Sequence, residues 1–232
     1  MTNTSKFFAG IALAASLFSG FSHAQTFNGN IVNTAANSAI PSAGTGGCAA
    51  APQTTGGTIF NNLVAGLPAG TTVASVQMNL THTFDSDLDV FLVAPNGQVL
   101  ELTTDNGAGN DNYTNTVFQD GAPNITTGAA PFTGTFSAEG SLVVTNCGVV
   151  VTPTVTDLAS FTPGQNGTWQ LLILDDVGID TGTMLSWSIT FAAPAVPAQI
   201  PTLSQWGMVI LSLLLALAAW VTVRRVAGRR LL

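Results

Sequence analysis

The sequence predicts an all-β protein, a β-sandwich or jelly roll. Short runs rich in Val, Thr, Ile and aromatic residues recur between residues 57 and 191, and Gly, Asn and Pro clusters separate them. No helical period interrupts this pattern except at the two ends of the chain. Only 7% of the 232 residues are charged. Many short strands joined by tight turns are typical of these two architectures.

The strand-like runs follow one another in a regular order. The first two are GTIFNNLVAGL (57–67) and TTVASVQMNLTHTF (71–84). LDVFLVAP (88–95) ends at a Pro-Asn-Gly turn signal and leads into QVLELTT (98–104), which predicts a hairpin. The last two runs are WQLLILDD and MLSWSITF, with VGIDTGT between them. We place the domain at residues 53–191, after a Gly-rich segment of small residues at 25–52. Trp169 and Trp187 are expected in its core, together with Phe84, Phe91 and Phe118.

The N-terminus has the pattern of a signal peptide. Lys6 precedes the apolar run FFAGIALAASLFSGF, and Ser22-His23-Ala24 forms a small-x-small cleavage site. We expect residues 1–24 to be removed during export, so that the mature protein begins near Gln25.

The C-terminus has the pattern of a membrane anchor. A Pro/Ala linker at 192–199 precedes 18 uncharged residues at 206–223, which would span about 27 Å as a helix. The arginines that follow should stay in the cytoplasm. These residues predict a single transmembrane helix with a short basic tail.

The segment IPTLSQW, followed by one apolar helix and an arginine cluster, resembles the IPTL-CTERM sorting signal of Gram-negative bacteria. The signal would cover residues 200–232, with Ile200, Pro201, Thr202 and Leu203 as its motif. The resemblance implies recognition by an exosortase-type membrane enzyme, removal of the tail, and delivery to the cell surface or extracellular matrix.

A second resemblance covers most of the domain. HTFDSDLDVFLVAPNGQVLEL, the NDNYTNTVFQDGAP loop, GTWQLLILDD and the closing GTMLSWSITF strand occur in this order. This order resembles the P domain (P/Homo B domain) of proprotein convertases and bacterial subtilisin-like proteases. It implies a β-sandwich of jelly-roll type. Residues 141–157 depart from the pattern and are interpreted as an insertion.

The charges of the chain are segregated. All five Lys and Arg residues lie near its ends, whereas all twelve acidic residues lie between Asp85 and Asp180. Because the domain carries no Lys or Arg, we expect no salt bridges within it and no nucleic-acid binding.

The acidic residues form clusters at strand ends, and three of them alternate in the segment Asp85-x-Asp87-x-Asp89. In an extended strand these three would share one face and repel one another. If the P-domain strand order brings the clusters together, a hard cation such as Ca²⁺ would offset the repulsion. The spacing is not an EF-hand, because Val90 and Asn96 replace the required Gly and Glu. The candidate ligands are Asp85, Asp87, Asp89, Asp105, Asp111, Asp175, Asp176 and Asp180. The alternative is that they are solvated carboxylates that cap turns.

Catalysis by the domain has little support in the sequence. His82 is the only histidine after the signal peptide, and no G-x-S-x-G elbow is present. We interpret His82 as a structural residue beside the aspartates. The sequence therefore favours a non-catalytic surface protein that binds a polysaccharide or protein ligand, or acts in adhesion or the matrix. The alternative is an accessory module of a subtilisin-like protease.

We predict that Cys48 and Cys147, the only two cysteines, form a disulfide in the exported protein. Closing a loop of about 100 residues would stabilise the fold by up to roughly 4.7 kcal/mol in the chain-entropy account. Thiol labelling of the denatured, non-reduced protein should find no free thiol. Two labelled cysteines would contradict the prediction.

Overall fold

The computed structural model describes residues 23–41, 57–146, 149–194 and 203–228. Several predicted features lie wholly or partly outside these ranges: residues 1–22 of the signal peptide, both cysteines, most of the Pro/Ala linker, and Ile200, Pro201 and Thr202 of the sorting motif. The signal peptide and the disulfide therefore stay predictions. The chain divides into two units, residues 1–194 and 195–232.

The first unit is built from short strands. In chain order they are β1 (Gln25–Asn28), β2 (Ala39–Ile40), β3 (Thr58–Val64), β4 (Thr72–His82), β5 (Leu88–Val93), β6 (Val99–Thr104), β7 (Tyr113–Phe118), β8 (Gly134–Phe136), β9 (Val144–Asn146), β10 (Val149–Val151), β11 (Gly167–Asp175) and β12 (Gly182–Ala192). Three 3-10 turns, at Asp85–Asp87, Ile125–Thr127 and Leu158–Ser160, lie between strands.

Two sheets form a jelly-roll sandwich. The first sheet has the strand order β1-β12-β4-β7 and the second has β3-β11-β5-β6, and every pairing within these two orders is antiparallel. Along these eight strands the chain crosses from one sheet to the other at every connection except the β5–β6 hairpin, which is the jelly-roll connectivity. β8 extends the first sheet by pairing parallel to β7, and β2 pairs with β12. The predicted fold class is confirmed.

The turn between β5 and β6 has the hydrogen bonds and backbone conformation that the Pro-Asn-Gly sequence predicts. The Ala94 N–H donates to Gln98 O (2.8 Å), and the Gly97 N–H donates to Ala94 O (2.9 Å). Gly97 has a φ of 86°, a conformation that favours glycine. The Pro-Asn-Gly signal therefore marks the turn between two paired strands.

The N-terminal segment contributes two strands that its small residues predicted only weakly. β1 pairs with β12 from Gln25 opposite Phe191 to Asn28 opposite Ser188. Gly29 then passes over Trp187 so closely that a Cβ would lie 2.0 Å from the indole ring. The absence of a side chain at Gly29 is what permits this approach.

The core lies between the two sheets because inward-facing residues of the strands are apolar. Trp169, Trp187 and Phe118 are buried there, as predicted. Trp169 makes edge contacts with Phe161 and Phe191, with ring centroids 5.1 Å and 5.6 Å apart. The prediction for Phe84 was wrong: its side chain is 37% exposed, because it lies after β4 ends and before the Asp85–Asp87 turn.

The 141–157 insertion covers the outer face of the second sheet, the face turned away from the core. Its strands β9 and β10 form a two-stranded sheet, which we call the insertion hairpin. Val144 and Val151 of the hairpin pack against Phe91 and Leu174 in a second apolar cluster. Phe91 is thus buried, as predicted, but outside the main core.

Both stems of the insertion are bonded to β6, the edge strand of the second sheet. The Leu142 N–H donates to the Glu101 carboxylate, and the Thr154 N–H donates to Val99 O (2.8 Å). The insertion thereby shields an edge that would otherwise present unpaired backbone groups.

The second unit contains the helix α1 (Leu203–Gly228). Residues Gly207–Arg224 are long and apolar enough to cross a membrane, with a mean hydropathy of 2.0. Apolar residues occur all round the helix, as expected for a segment in lipid. Arg224 lies over the Trp220 ring, 4.3 Å from its centroid, at the basic end of the span.

Candidate cation site

Three acidic segments meet at one end of the sandwich. They are the 85–87 turn before β5, the 105–112 loop after β6, and the 176–181 loop after β11. β5 pairs with β6 on one side and with β11 on the other, so that Asp89 lies opposite Thr104 and Asp175 opposite Leu88. The strand order therefore brings together segments that are far apart in sequence. We call this region the acidic end.

The three alternating aspartates do not share a strand face. Asp85 and Asp87 belong to a 3-10 turn, and only Asp89 lies in a strand. Leu88 and Val90 face the core, so Asp89 lies on the outer face of the second sheet. Although Asp85, Asp87 and Asp89 are equally spaced in the sequence, their carboxylates therefore do not lie on one face of the sheet.

Asp85 is fully buried under the 105–112 loop. Its backbone N–H donates to Asn110 O (2.8 Å), and Gly107 lies so close that a Cβ there would be 2.7 Å from the Asp85 Cβ. Neither carboxylate oxygen accepts a hydrogen bond from the part of the chain that the structure describes. Burial raises the Asp85 pKa to about 7, opposed by the nearby Asn112 N–H, which donates to His82 O instead, and by the His82 charge.

Asp87 and Asp175 lie on the core side of the acidic end, beside His82. The His82 Nδ1 lies 2.8 Å from Phe84 O, and its Nε2 lies 3.2 Å from Asp175 Oδ2. Burial lowers the His82 pKa, but the hydrogen bond and charge of Asp175 outweigh it, and the net shift is upward. When protonated, His82 forms an ion pair with Asp175 inside the domain, which counting only Lys and Arg had excluded.

Asp87 retains a buried oxygen, Oδ2, with no hydrogen-bond donor among the described residues. Burial and then the charges of Asp175 and Asp180 raise its pKa to about 6. His82 therefore relieves only part of the repulsion on this side.

Asp89 is fully buried on the opposite side, beside the insertion hairpin. The Asn146 side chain donates to its Oδ2, and its Oδ1 accepts nothing from the residues described. Burial, followed by the charges of Asp105 and Asp176, raises the Asp89 pKa to about 7, although the Asn146 hydrogen bond opposes this. The Asn146 side chain therefore bonds only one of the two Asp89 carboxylate oxygens.

The remaining candidate ligands lie nearer to solvent. Asp105 and Asp111 are exposed on the 105–112 loop, and Asp176 and Asp180 are half-buried. Asp180 accepts a hydrogen bond from Thr83 Oγ1 (2.8 Å). Burial and then the charges of Asp105 and Asp175 raise the pKa of Asp176.

The chemistry of these donors fits a hard cation. Orphaned carboxylate oxygens of Asp85, Asp87 and Asp89 are buried where no Lys or Arg is available. Within residues 23–41, 57–146, 149–194 and 203–228, no three His, Cys, Asp or Glu side chains converge tightly enough to hold a metal ion by themselves. A Ca²⁺ ion here would therefore need amide and backbone oxygens as additional ligands, which Ca²⁺ accepts.

The sequence pattern missed three residues of this region. Asn146 comes from the insertion, where no acidic or turn motif surrounds it. Glu101 and Glu139 bond the backbone amides of Leu142 and Thr104, respectively. The position of Glu101 within a hydrophobic strand run was a possible signal, because a buried carboxylate in such a run requires a partner.

Two family models match the chain. The proprotein convertase P-domain matches residues 71–128, and the IPTL-CTERM motif matches residues 198–225. Both resemblances are confirmed over these ranges. The P-domain match includes the 85–87 turn and the 105–112 loop and ends before the insertion. Neither matched family is a catalytic domain.

The sorting motif and α1 together define the destination of the chain. The IPTL-CTERM motif implies processing by an exosortase-type system and a C-terminal membrane anchor. The apolar span of α1 fits that anchor. The chain is thus an exported protein, made as a membrane-anchored precursor and delivered to the cell surface.

The structural similarity to solved proteins is distant. A crystal structure of the Aeromonas sobria serine protease with the chaperone ORF2 is 18% identical, with a TM-score of 0.36 over 75% of this chain and 26% of that chain. The serine protease of Aeromonas sobria alone gives 18% identity and a TM-score of 0.36 over 72% of this chain and 26% of that chain. This chain thus spans about a quarter of the length of these proteases. No curated protein sequence matches it.

We predict that the domain without divalent cations loses stability as pH rises. The folded-state pKa values of Asp85 and Asp89, about 7, exceed the usual 3.8, so the folded state binds more protons between these values. His82, whose folded-state pKa is also raised, acts in the same direction. In EDTA the melting temperature should fall by more than about 5 °C between pH 5 and pH 8.

Asp89→Asn is the control, because an amide does not titrate, and its melting temperature should fall less over the same interval. Melting temperatures that stay level or rise from pH 5 to pH 8 would contradict the prediction.

Proposed function

We propose that the mature protein is a non-catalytic binding, adhesion or matrix module of the bacterial surface. The observation that carries the proposal is the combination, in one chain, of a surface-sorting signal and a single jelly-roll sandwich. A module sorted to the surface in this way meets extracellular polysaccharides and proteins, which are its proposed ligands.

The surroundings of His82 support a non-catalytic role. A Ser-His-Asp mechanism needs a histidine nitrogen free to take a proton from a nucleophile. Here one ring nitrogen faces Phe84 O and the other faces Asp175 Oδ2, and the imidazole is fully buried. These contacts support a structural function for His82, holding the end of β4 against the end of β11.

The acidic end is the proposed ligand-facing region. Ile179 is 86% exposed on the 176–181 loop. Val177 on the same loop and Phe84, next to Asp85, are also exposed. Ile179 has a φ of 99°, which is unfavourable for a β-branched residue, and such strain concentrates in functional loops. Exposed apolar side chains beside ordered carboxylates support a contact surface for a surface ligand.

Calcium is the proposed cofactor of this region. Asp85, Asp87 and Asp89 would supply buried carboxylate oxygens, and Asp105, Asp111, Asp175, Asp176 and Asp180 surround them as further candidate ligands. When bound, Ca²⁺ would neutralise the repulsion between the three segments and fix the loops that face a ligand.

The second candidate function is an accessory role toward a subtilisin-like protease. The P-domain match favours it, because that family is named for proprotein convertases. The two roles differ in their partners, since only the accessory role requires a protease bound to the mature protein.

We predict that surface-extracted protein begins near Gln25 and lacks most of residues 206–232. Intact-mass measurement in cells with an active exosortase checks both ends at once. Pro201→Ala, which alters the sorting motif and leaves the apolar helix intact, should retain the tail. Recovery of the full tail in the unaltered protein would contradict processing.

The same extract distinguishes the two roles. Affinity capture of the tagged mature protein should recover surface polysaccharide or non-protease proteins if it is a binding module. Stoichiometric recovery of a subtilisin-like protease would replace the first proposal with the second.

We also predict that Ca²⁺ stabilises the domain specifically. At a free concentration of one hundred times Kd, binding to the folded state alone contributes about 2.7 kcal/mol and raises the melting temperature by several degrees. Melting in EDTA, in millimolar CaCl₂ and in NaCl of matched ionic strength checks this. Asp87→Asn should reduce the calcium response.

Asp157→Asn is the matched control, since Asp157 caps the Leu158–Ser160 turn outside the acidic end. It should respond to calcium as the unaltered protein does. Equal shifts in CaCl₂ and NaCl would mean that the aspartates are solvated turn residues.

A further inference from the structure

A small cavity, open to solvent, lies between the insertion hairpin and the acidic end. Its volume is about 180 Å³, and it is lined by Asp89, Thr104 and Asp105 on the sheet side and by residues 142–146 on the hairpin side. The P-domain match ends at residue 128, so one wall of this cavity lies outside the matched region.

We propose that this cavity is a second Ca²⁺ site, separate from the one on the core side, and that the ion locks the insertion hairpin onto the sheet. The inference rests on the proposed binding of calcium at the acidic end and adds a second ion with a distinct role. Asp89 and Asp105 supply the carboxylates, and the hairpin supplies neutral oxygens.

The state of Asp89 is the main support. Its side chain is fully buried and lines the cavity, and its Oδ1 accepts no hydrogen bond from the described residues. The charges of Asp105, Asp176 and Glu101 all act on it unfavourably. A buried carboxylate in the lining of a cavity, with like charges around it and one oxygen that accepts no hydrogen bond from the described residues, is a candidate ligand for a cation.

The hairpin offers the kind of donors that complete such a site. In the described chain β9 pairs with β10 alone, so its other edge keeps carbonyl groups that face no strand. Asn146 already contacts Asp89, and rotation of its amide would present an oxygen in place of the NH₂ group. Two carboxylates with carbonyl and amide oxygens are a ligand set that Ca²⁺ accepts.

The attachment of the insertion hairpin to the sheet indicates which part of it a bound ion would stabilise. Its stems are bonded to β6 through Leu142 and Thr154, whereas among the described residues the end at Asn146 is bonded to the sheet through its side-chain contact with Asp89. Packing of Val144 and Val151 adds apolar contact between these points. An ion between Asp89, Asp105 and the hairpin would fasten the end that is least anchored.

This site is separate from the core-side group because β5 lies between them. Leu88 and Val90 face the core, as Asp175 opposite Leu88 does, whereas Asp89 faces outward toward the hairpin. The charges of Asp175 and Asp180 act on Asp87 and that of Asp105 acts on Asp89, while Asp176 lies close enough to act on both. The acidic end therefore divides into two groups, and each would hold one ion.

The experiment combines CaCl₂ titration calorimetry with hydrogen exchange on the full chain in detergent, under reducing conditions so that the predicted disulfide does not hold the hairpin. The unaltered protein should bind two ions. Ca²⁺ at one hundred times Kd should slow amide exchange in β9 and β10 by up to about 100-fold, because only the docked hairpin completes the site.

Substitutions at Asp105, which is exposed, and at Asp87, which is buried, give a reciprocal comparison. Asp105→Asn should bind one ion and lose the calcium-dependent protection of β9 and β10 from amide exchange. The 85–87 turn of this variant should keep its calcium-dependent protection. Asp87→Asn should also bind one ion but keep the protection of the hairpin.

The outcomes separate the two proposals. A single ion whose binding Asp87→Asn abolishes, or hairpin protection that Ca²⁺ leaves unchanged or that persists in Asp105→Asn, overturns the second site and leaves calcium binding at the core side intact. The absence of any calcium binding overturns both.

Discussion

Electrostatic repulsion among carboxylates at one end of the sandwich is the constraint on which the rest of the structure depends. The jelly-roll order places β5 between β6 and β11, and each of these three strands carries aspartates at the same end. The chain cannot relieve the repulsion by moving β5, because Leu88, Val90 and Leu92 anchor it in the core. It also cannot neutralise the charges with Lys or Arg, since the domain contains none.

The fold responds to this constraint in two ways. On the core side, His82 brings one potential positive charge to Asp175. On the outer side, the insertion supplies the Asn146 amide to Asp89. Each of these contacts bonds one carboxylate oxygen, and buried oxygens of Asp85, Asp87 and Asp89 remain without donors in the described chain. A bound cation is the means that we propose for balancing the charges that the apolar packing holds together.

Most of the fold could be predicted from the sequence, because alternation and turn residues act locally. The β5–β6 hairpin follows from the Pro-Asn-Gly turn, and the burial of Trp169 and Trp187 follows from their strand positions. The path of the Asp85–Asp87 turn could not be predicted, because equal spacing is compatible with a strand or a 3-10 turn. The contact between Asn146 and Asp89 spans 57 residues, and no local pattern encodes such a pairing. The position of β1 was also hard to predict from the sequence, because it depends on distant residues. β1 pairs with β12, and Gly29 passes over Trp187.

Delivery and the proposed recognition belong to different parts of the chain. The sorting motif and α1 direct surface delivery and anchoring, whereas the proposed ligand contacts lie in the sandwich. This separation agrees with a surface module whose stability must be maintained outside the cell, where millimolar calcium would be sufficient for weak sites. Anomalous diffraction from crystals grown with CaCl₂ tests most directly whether ions bind at the acidic end. We predict one anomalous peak beside Asp87 and a second between Asp89 and Asp105, whereas a map without peaks at the acidic end would contradict calcium binding there.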